Sequence, residues 1–544
     1  MTAQHLLFLL GVPFFSVVVS AVARRLELNG SLVLVVVGIV VSIMPFIPDY
    51  DLEPEFVLMI LLPPLLYQAA VETSVPSLRQ NWQAVLILSV AMVLVTTTVT
   101  GFAMHWLIPE MPLPVAFVLG AVLGPPDTVA AISIARRLGL PRRTVDVLVG
   151  EGLFNDATAL TAFRIALAAA VGETVTFFDA IGRFLLSAAG GILIGAVVAM
   201  VWDPIRYRMR DPRAESSISL ILPFVVYITA EAVHVSGVMG VVILGLYLGH
   251  RRVRAGYATR MLDTAVWDVI VEILEATVFA LIGLQLIPIL RDVDHWSSSQ
   301  LIGYGLAAFA MVVVARFGGV YTFGYLGDQF IRRFRGSPGL RSAESQAQRV
   351  LFVVSWAGMR GVVSLAAALS IPTTTNSGEP LPDRELVQFL TLFVVLGTLI
   401  VQGLTLPPLI RRLGISSVEE VKEDAFAYCS AMGTAANAGL ARLDELEDSL
   451  PDPAVDRMRD QALWRGERAK RYAQQVAAGG PSANATAVDD ARRSMLDAER
   501  AAIEHLRDSR EINDDVYRRV LNQLDLEEAF MERRDGHLSA TDRH

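Results

Sequence analysis

Three polar residues, Glu151, Asn155 and Asp156, lie within residues 149–161, a mostly apolar stretch that favours a helix in the middle of a membrane span. Glu151 and Asn155 are four residues apart and share one helix face, whereas Asp156 lies about 100° further round. A carboxylate in hydrocarbon costs about 3 kcal/mol on insertion scales, so it normally faces a bundle interior or a water-filled cavity. The stretch therefore predicts an ion or proton path in which Asp156 gains and loses the proton.

A second polar position interrupts the apolar residues 114–135 at Gly124-Pro125-Pro126-Asp127. Pro125 and Pro126 have no N–H group, so backbone carbonyls in the preceding turn lose their usual hydrogen-bond partners. Those carbonyls and the Asp127 carboxylate are hard oxygen ligands suited to an alkali cation. We expect Asp127 and Asp156 to bind a transported monovalent cation. The alternative is that both acids only hydrogen-bond inside the helix bundle.

A third interruption, Gly358-Met359-Arg360-Gly361, falls inside the apolar residues 349–371. Arg360 cannot lose its proton, so it must be paired with an acid, and we expect a structural ion pair with Glu151. Glycines at 358 and 361 predict a helix break in a span that runs opposite to the one holding the prolines. Two such breaks indicate a transporter with inverted repeats and a midplane site. The alternative is that glycine is simply common in membrane helices.

A weak internal repeat supports this interpretation. Asn29-Gly30-Ser31 and Ser236-Gly237-Val238 each open an apolar stretch, and a second glycine follows after eight residues, at Gly38 and Gly245.

The whole chain is too apolar for a soluble protein, because 53% of its 544 residues are apolar and its mean hydropathy is +0.48. The formal charge of −9 arises from acids concentrated after residue 414, which argues against a nucleic-acid partner. The single cysteine, Cys429, excludes an intramolecular disulfide and a cysteine metal cluster. We predict about thirteen membrane spans, near residues 5–23, 31–48, 55–71, 84–107, 114–135, 144–171, 180–201, 217–234, 237–250, 266–290, 300–328, 349–371 and 386–410.

The distribution of arginine predicts the topology. Alternate loops are rich in arginine, whereas the opposite loops hold only Arg291 and Arg384, so the positive-inside rule places the N-terminus outside and the C-terminus in the cytoplasm. Arg24 and Arg25 follow the first apolar stretch, which excludes a secretory signal. The sequence thus predicts an all-α polytopic cell-membrane protein, with a transmembrane domain at 1–414 and a helical cytoplasmic regulatory tail at 415–544. Glycine and proline at residues 479–482 predict a turn inside that tail.

The motif at residues 151–158 resembles the Asn-Asp motif of the CPA1-type monovalent cation/proton antiporters, which include the bacterial sodium/proton antiporters and the animal exchangers. Four other segments agree in order, namely Leu62-Pro63-Pro64-Leu65-Leu66, Gly124-Pro125-Pro126-Asp127, the run from Phe279 to Gln285, and the run from Trp356 to Leu365. The resemblance implies that Asp156 binds cation and proton in competition, that Asp127 helps to form the site, and that Glu151 pairs with Arg360. It also implies electroneutral exchange associated with Asn155, and a homodimer with a moving core.

Three positions depart from the family pattern. Gln68 stands where an acid often follows Leu-Pro-Pro, Gly152 where many members have serine, and Pro126 where threonine is usual. We expect Gln68 to face the site as a neutral ligand. These departures leave fewer side-chain oxygens at the predicted site, so the sequence argues less strongly for selectivity for sodium over potassium.

The leading hypothesis is a sodium/proton antiporter that uses alternating access, without a resident cofactor, and serves pH and sodium homeostasis. A potassium or broad alkali-cation/proton antiporter is the alternative in the same class, and a cation channel is the alternative from another class. An enzyme would need a nucleophile with a base or a metal cluster, and the sequence offers neither.

Overall fold

The structure, a computed structural model, describes residues 3–26, 28–44, 54–209, 211–293, 296–335, 341–415, 418–478, 483–509, 511, 516–517, 519–521, 523–525 and 528. Within these residues the chain is helical, and the only extended pairing is an isolated bridge between Thr374 and Pro380. The predicted all-α class is confirmed. The predicted turn at residues 479–482 lies outside the described residues.

Eighteen α-helices make up the described part of the first compact unit, Met1–Ile415. The first nine are α1 (Ala3–Arg25), α2 (Gly30–Ser42), α3 (Pro54–Glu72), α4 (Val75–Gln80), α5 (Trp82–Leu86), α6 (Met92–Leu107), α7 (Leu113–Val122), α8 (Thr128–Arg137) and α9 (Arg142–Ala170). The next nine are α10 (Phe177–Met209), α11 (Pro212–Ala232), α12 (Gly237–His250), α13 (Tyr257–Leu284), α14 (Leu286–Asp292), α15 (Ser298–Arg335), α16 (Arg341–Trp356), α17 (Val362–Leu369) and α18 (Arg384–Leu413). A π-helical turn, Ile87–Ala91, joins α5 to α6.

Six helical segments in the described part of the chain are long and apolar enough to cross a membrane: Trp82–Leu107, Phe177–Arg206, Pro212–Ala232, Tyr257–Asp292, Ser298–Gly324 and Arg384–Leu413. Four shorter apolar helices accompany them: Gly30–Ser42, Leu58–Glu72, Leu113–Val122 and Gly237–His250. The protein is therefore a multi-pass membrane protein. The count of thirteen spans stays a prediction, and the end of the predicted span at 31–48 lies outside the described residues.

Glycine allows two pairs of helices to touch backbone to backbone. A Cβ added at Gly38 of α2 would collide with the backbone of Ala280 and Gly283 in α13, and one added at Gly245 of α12 would collide with Tyr67 and Ala70 in α3. Gly38 and Gly245 are the two glycines of the predicted repeat. Each lies where two helices cross closely. Small residues at such crossings let the backbones approach, which favours helix packing inside membranes.

The membrane helices form two packed groups. Helices α4–α9 pack with α15–α18 in what we call the core group, and α1–α3 pack with α10–α13 in what we call the wall group. Both interrupted helices, α7–α8 and α16–α17, belong to the core group.

The second compact unit, Ser416–His544, contains α19 (Val418–Leu446), α20 (Asp452–Ala477) and α21 (Ala483–Asp508). Helix α18 ends at Leu413, and the next residue, Gly414, has a φ of 61° that suits glycine and stops the helix. In the second unit, α19 and α20 pack through small residues, with Ala425, Ala473 and Val476 buried beside Cys429. Near the end of α19, Leu443 is buried, whereas Leu446 is exposed.

Candidate functional site

The two broken helices cross at the point where both are unwound. Helix α7 ends at Val122 and α8 begins at Thr128, while α16 ends at Trp356 and α17 begins at Val362. Across the crossing, the Asp127 amide donates to the Met359 carbonyl at 2.6 Å. The interruptions predicted from proline and glycine therefore meet in space, and each supplies a backbone partner that the other lacks.

Gly361 is required by this close approach. A Cβ added to Gly361 would overlap the carboxylate of Asp127. A similar constraint explains Gly152 of α9, because a Cβ there would overlap the hydroxyl oxygen of Thr128 in α8. Serine, which the resemblance makes usual at position 152, does not fit beside Thr128 unless the Thr128 side chain rotates or one of the helices shifts.

Asp127 caps the second half of the first broken helix. Its Oδ1 accepts a hydrogen bond from the Val129 amide at 3.0 Å, and the positive end of the α8 dipole favours its negative charge. Next to it, the Pro126 carbonyl accepts a hydrogen bond from Asn155 Nδ2 at 2.6 Å. The Asn155 Oδ1 is buried and has no hydrogen-bond partner among the described residues, so it remains available as an acceptor or ligand oxygen.

Glu151 is bound by Arg316 and not by Arg360, so the predicted ion pair is wrong. The two Arg316 Nη atoms meet the two Glu151 oxygens as a fork, with Nη2 at 2.8 Å from Oε2 and Nη1 in contact with Oε1. Both residues are buried, with side-chain exposures of 0% for Glu151 and 3% for Arg316. Arg316 Nη2 also donates to the Val354 carbonyl at 3.3 Å, which ties α15 to α9 and α16.

Arg360 instead binds the carbonyls released by both helix breaks. Its Nε donates to the Leu123 carbonyl at 2.7 Å and its Nη1 to the Gly358 carbonyl, while its backbone amide donates to Thr398 Oγ1 at 2.9 Å. The ends of α7 and α16 are negative dipole ends, which a buried guanidinium stabilises. Glu151 attracts Arg360 electrostatically, but the two side chains share no ion-pair contact.

A cavity of about 980 Å³, measured with its open mouth included, lies between the core group and the wall group. The core group lines it with Asp127 and Thr128 of the first break, Asn155 and Asp156 of α9, and Ser364 of α17. Asp127 and Asp156 are close enough to repel one another electrostatically. The cavity therefore brings together the predicted pair of carboxylates beside unwound backbone, an arrangement that provides hard oxygen atoms for a small cation or a proton.

The chain is similar in sequence to known membrane proteins. Residues 13–412 match the family described as sodium/hydrogen exchanger, transmembrane. The chain belongs to this family. An uncharacterized sodium/proton exchanger of Mycobacterium tuberculosis is 32% identical over 527 residues, which are 94% of this chain and 93% of that protein. The resemblance to the NhaP-like CPA1 antiporters predicted from the motifs is confirmed.

Two other relatives carry further information. A sodium, potassium, lithium and rubidium/proton antiporter of Bacillus subtilis is 30% identical over 489 residues, covering 84% of this chain and 70% of that protein. The structure of a sodium/proton antiporter from Methanocaldococcus jannaschii superposes with a TM-score of 0.57 at 18% identity, covering 75% of this chain and 97% of the other. The exchanger chain therefore shares that antiporter's fold.

Gln68 is placed differently from the prediction. In this exchanger its Nε2 donates to Glu72 Oε1 at 2.8 Å, one turn along α3. Leu65, Leu66 and Ala69 of the same helix line the cavity, and Gln68 does not. Because the Gln68 amide is bonded to Glu72 and lies outside the described lining of the cavity, the structure does not support the expectation that Gln68 faces the site.

Two functional positions escaped the sequence reasoning. Arg316 is the one arginine inside the otherwise apolar residues 300–324, and that isolation was a signal that it needs a buried acid. Glu275 lines the cavity from α13, four residues before the Phe279 motif. Glu272 lies only three residues earlier, so in the sequence the two acids resemble the polar face of an ordinary helix. Only the structure shows that Glu272 is paired with Arg24 whereas Glu275 lines the cavity.

Proposed function

We propose that the protein exchanges sodium for protons across the cell membrane, with Asp156 as the group that binds either ion. Protonation makes the carboxyl neutral and a poor cation ligand, so proton and cation compete for one position. Asp127 supplies a second anionic oxygen, and the unpartnered Asn155 Oδ1 supplies a neutral one. The observation that carries this proposal is that both carboxylates line one cavity at the crossing of two broken helices.

The proposed cycle is alternating access, in which the core group presents the site to one side of the membrane and then to the other. Exchange is one cation for one proton and electroneutral, as the presence of Asn155 suggests within the family. The protein works as a homodimer, with its N-terminus outside and its tail in the cytoplasm, and contributes to pH and sodium homeostasis.

A broad alkali-cation/proton antiporter is the second candidate. It is favoured by the Bacillus subtilis relative, which is named for sodium, potassium, lithium and rubidium. The cavity also supports it, because most of its lining is aliphatic and few side-chain oxygens are present to select an ion by size.

The test uses the full-length protein in sealed proteoliposomes with an imposed pH gradient. Adding lithium, sodium, potassium or rubidium should dissipate the gradient, and the order of apparent affinities decides between the two candidates. Clamping the membrane potential at zero should leave an electroneutral exchange rate unchanged. Cation current without proton movement would indicate a channel instead.

Asp156→Asn should abolish cation-dependent proton flux while the protein remains folded, because the change removes the charge and little volume. Asp179→Asn is the matched control, since Asp179 lies exposed near the start of α10 and bonds only to Thr176 among the described residues. Near-normal exchange by Asp156→Asn would contradict the central role of this carboxylate.

A further inference from the structure

Glu275 is the one polar side chain that the wall group contributes to the described lining of the cavity. Helix α3 contributes only leucines and Ala69, and α13 adds Val278 and Phe279 to Glu275. A carboxylate on an apolar wall inside a membrane is costly, so its position calls for a physical reason.

No basic residue that the structure describes compensates the charge of Glu275. Glu275 forms no hydrogen bond or ion pair with any residue that the structure describes, and its electrostatic neighbours, Asp127, Glu272 and Glu72, are all acids. Several other acids that the structure describes in the membrane unit have basic partners. Glu272 is bound by Arg24, Glu151 by Arg316 and Glu215 by Arg206. Glu275 thus differs from the structural acids of the same protein.

Glu275 is also separate from the proposed exchange site. The three carboxylates of the cavity, Asp127, Asp156 and Glu275, do not converge into one group that could hold a single ion. Glu275 belongs to the wall group, while Asp127 and Asp156 belong to the core group across the cavity. An ion that moves between the open water and Asp156 therefore passes this carboxylate on the opposite wall, and a cation bound there stabilises its ionised form.

We infer that Glu275 is a second, transient cation subsite, which attracts a hydrated monovalent cation into the cavity and passes it to Asp156. This inference rests on the proposed function. A carboxylate on low-dielectric walls concentrates cations in the cavity, and weak binding at more than one position allows an ion to enter and to leave. In the proposed cycle Asp156 carries the exchanged proton, so loss of the Glu275 charge should affect capture of the cation more than the exchange step.

The experiment measures cation-dependent proton flux in proteoliposomes against sodium and potassium concentration at a fixed pH. In Glu275→Gln the half-saturating cation concentration should rise about three- to tenfold, with the maximal rate within a factor of two of wild type. Glu275→Asp should restore most of the affinity because it returns the charge. Glu272→Gln is the matched control on the same helix, and it should leave the half-saturating concentration unchanged.

A second measurement keeps the inference testable if turnover of the variant is too low to saturate. Sodium should protect the wild-type protein against thermal unfolding in detergent, and the concentration needed should rise in Glu275→Gln by the same factor. Unchanged half-saturation in Glu275→Gln, or an equal shift in Glu272→Gln, would overturn the inference while wild-type exchange persists. Absence of cation-coupled proton flux in the wild type would instead overturn the proposed function.

Discussion

Replacing Glu151 by glutamine should be among the most destabilising single changes in the membrane unit. The substitution keeps the shape of the side chain and removes its charge, so Arg316 stays buried at 3% exposure without a counter-ion. Removing one partner of a buried pair costs about 3–5 kcal/mol. We expect the upper part of this range, because Arg316 Nε has no hydrogen-bond partner among the described residues and Nη2 would keep only the Val354 carbonyl at 3.3 Å.

The assay is thermal unfolding of the purified protein in detergent, for wild type, the single variants and two double variants. Glu151→Gln combined with Arg316→Met should recover a large part of the loss, because neither charge then remains buried. Glu151→Gln combined with Arg360→Gln should be worse than either single change, since Arg360 stabilises the Leu123 and Gly358 carbonyls. Recovery with the Arg360 double variant and not with the Arg316 one would refute the assignment.

Three further outcomes are expected. Gly361→Ala should abolish exchange, because the new Cβ overlaps the Asp127 carboxylate. Gly303→Ala is the control and should preserve exchange, because the space around Gly303 is open. Equal flux from both variants would show that the close contact is dispensable. Gln68→Glu should lower the thermal stability by placing a like charge beside its present hydrogen-bond acceptor, without changing sodium affinity; a changed affinity would return Gln68 to the site. Truncation after residue 414 should leave exchange measurable and shift its pH profile, and a correctly inserted but inactive truncate would contradict a purely regulatory tail.

The helix breaks could be predicted from sequence because their causes are local. Proline removes an N–H wherever it occurs, so Pro125 and Pro126 identify the interruption without any knowledge of the fold. Asp127 follows these prolines directly in the sequence, so its position at the break could be predicted as well. Asp156 could also be predicted, because the cost of an acid in the middle of a span requires a cavity beside it.

Long-range pairing could not be predicted in the same way. Arg316 and Glu151 are 165 residues apart, and no spacing rule states which of two buried arginines reaches a given acid. The sequence favoured Arg360 as the partner of Glu151 because Arg360 lies in the motif at the second helix break. In the structure, the Arg360 guanidinium is bound instead by the Leu123 and Gly358 carbonyls. The Gln68 side chain is held by a hydrogen bond to Glu72, four residues further along the helix, which competes with binding of a ligand. Such i,i+4 pairs are too common on helices for this one to be predicted from the sequence.

The corrected pairing changes the charge balance of the core group. Arg316 forms the ion pair with Glu151, so the hydrogen-bond partners of the buried Arg360 among the described residues are all neutral. Asp127 and Asp156 carry two negative charges when both are ionised. Together with Arg360, these three buried side chains have a net charge of −1. A single proton or a single monovalent cation brings the charge of the three side chains to zero. Moving a net charge through a low-dielectric bilayer is unfavourable, so the proposed alternating-access movement of the core group should be easiest with one ion bound. Since Glu275 lies on the wall group, its charge does not enter this sum. If the core group moves as proposed, the buried charge of Arg360 favours one-for-one exchange, which the two carboxylates alone would not.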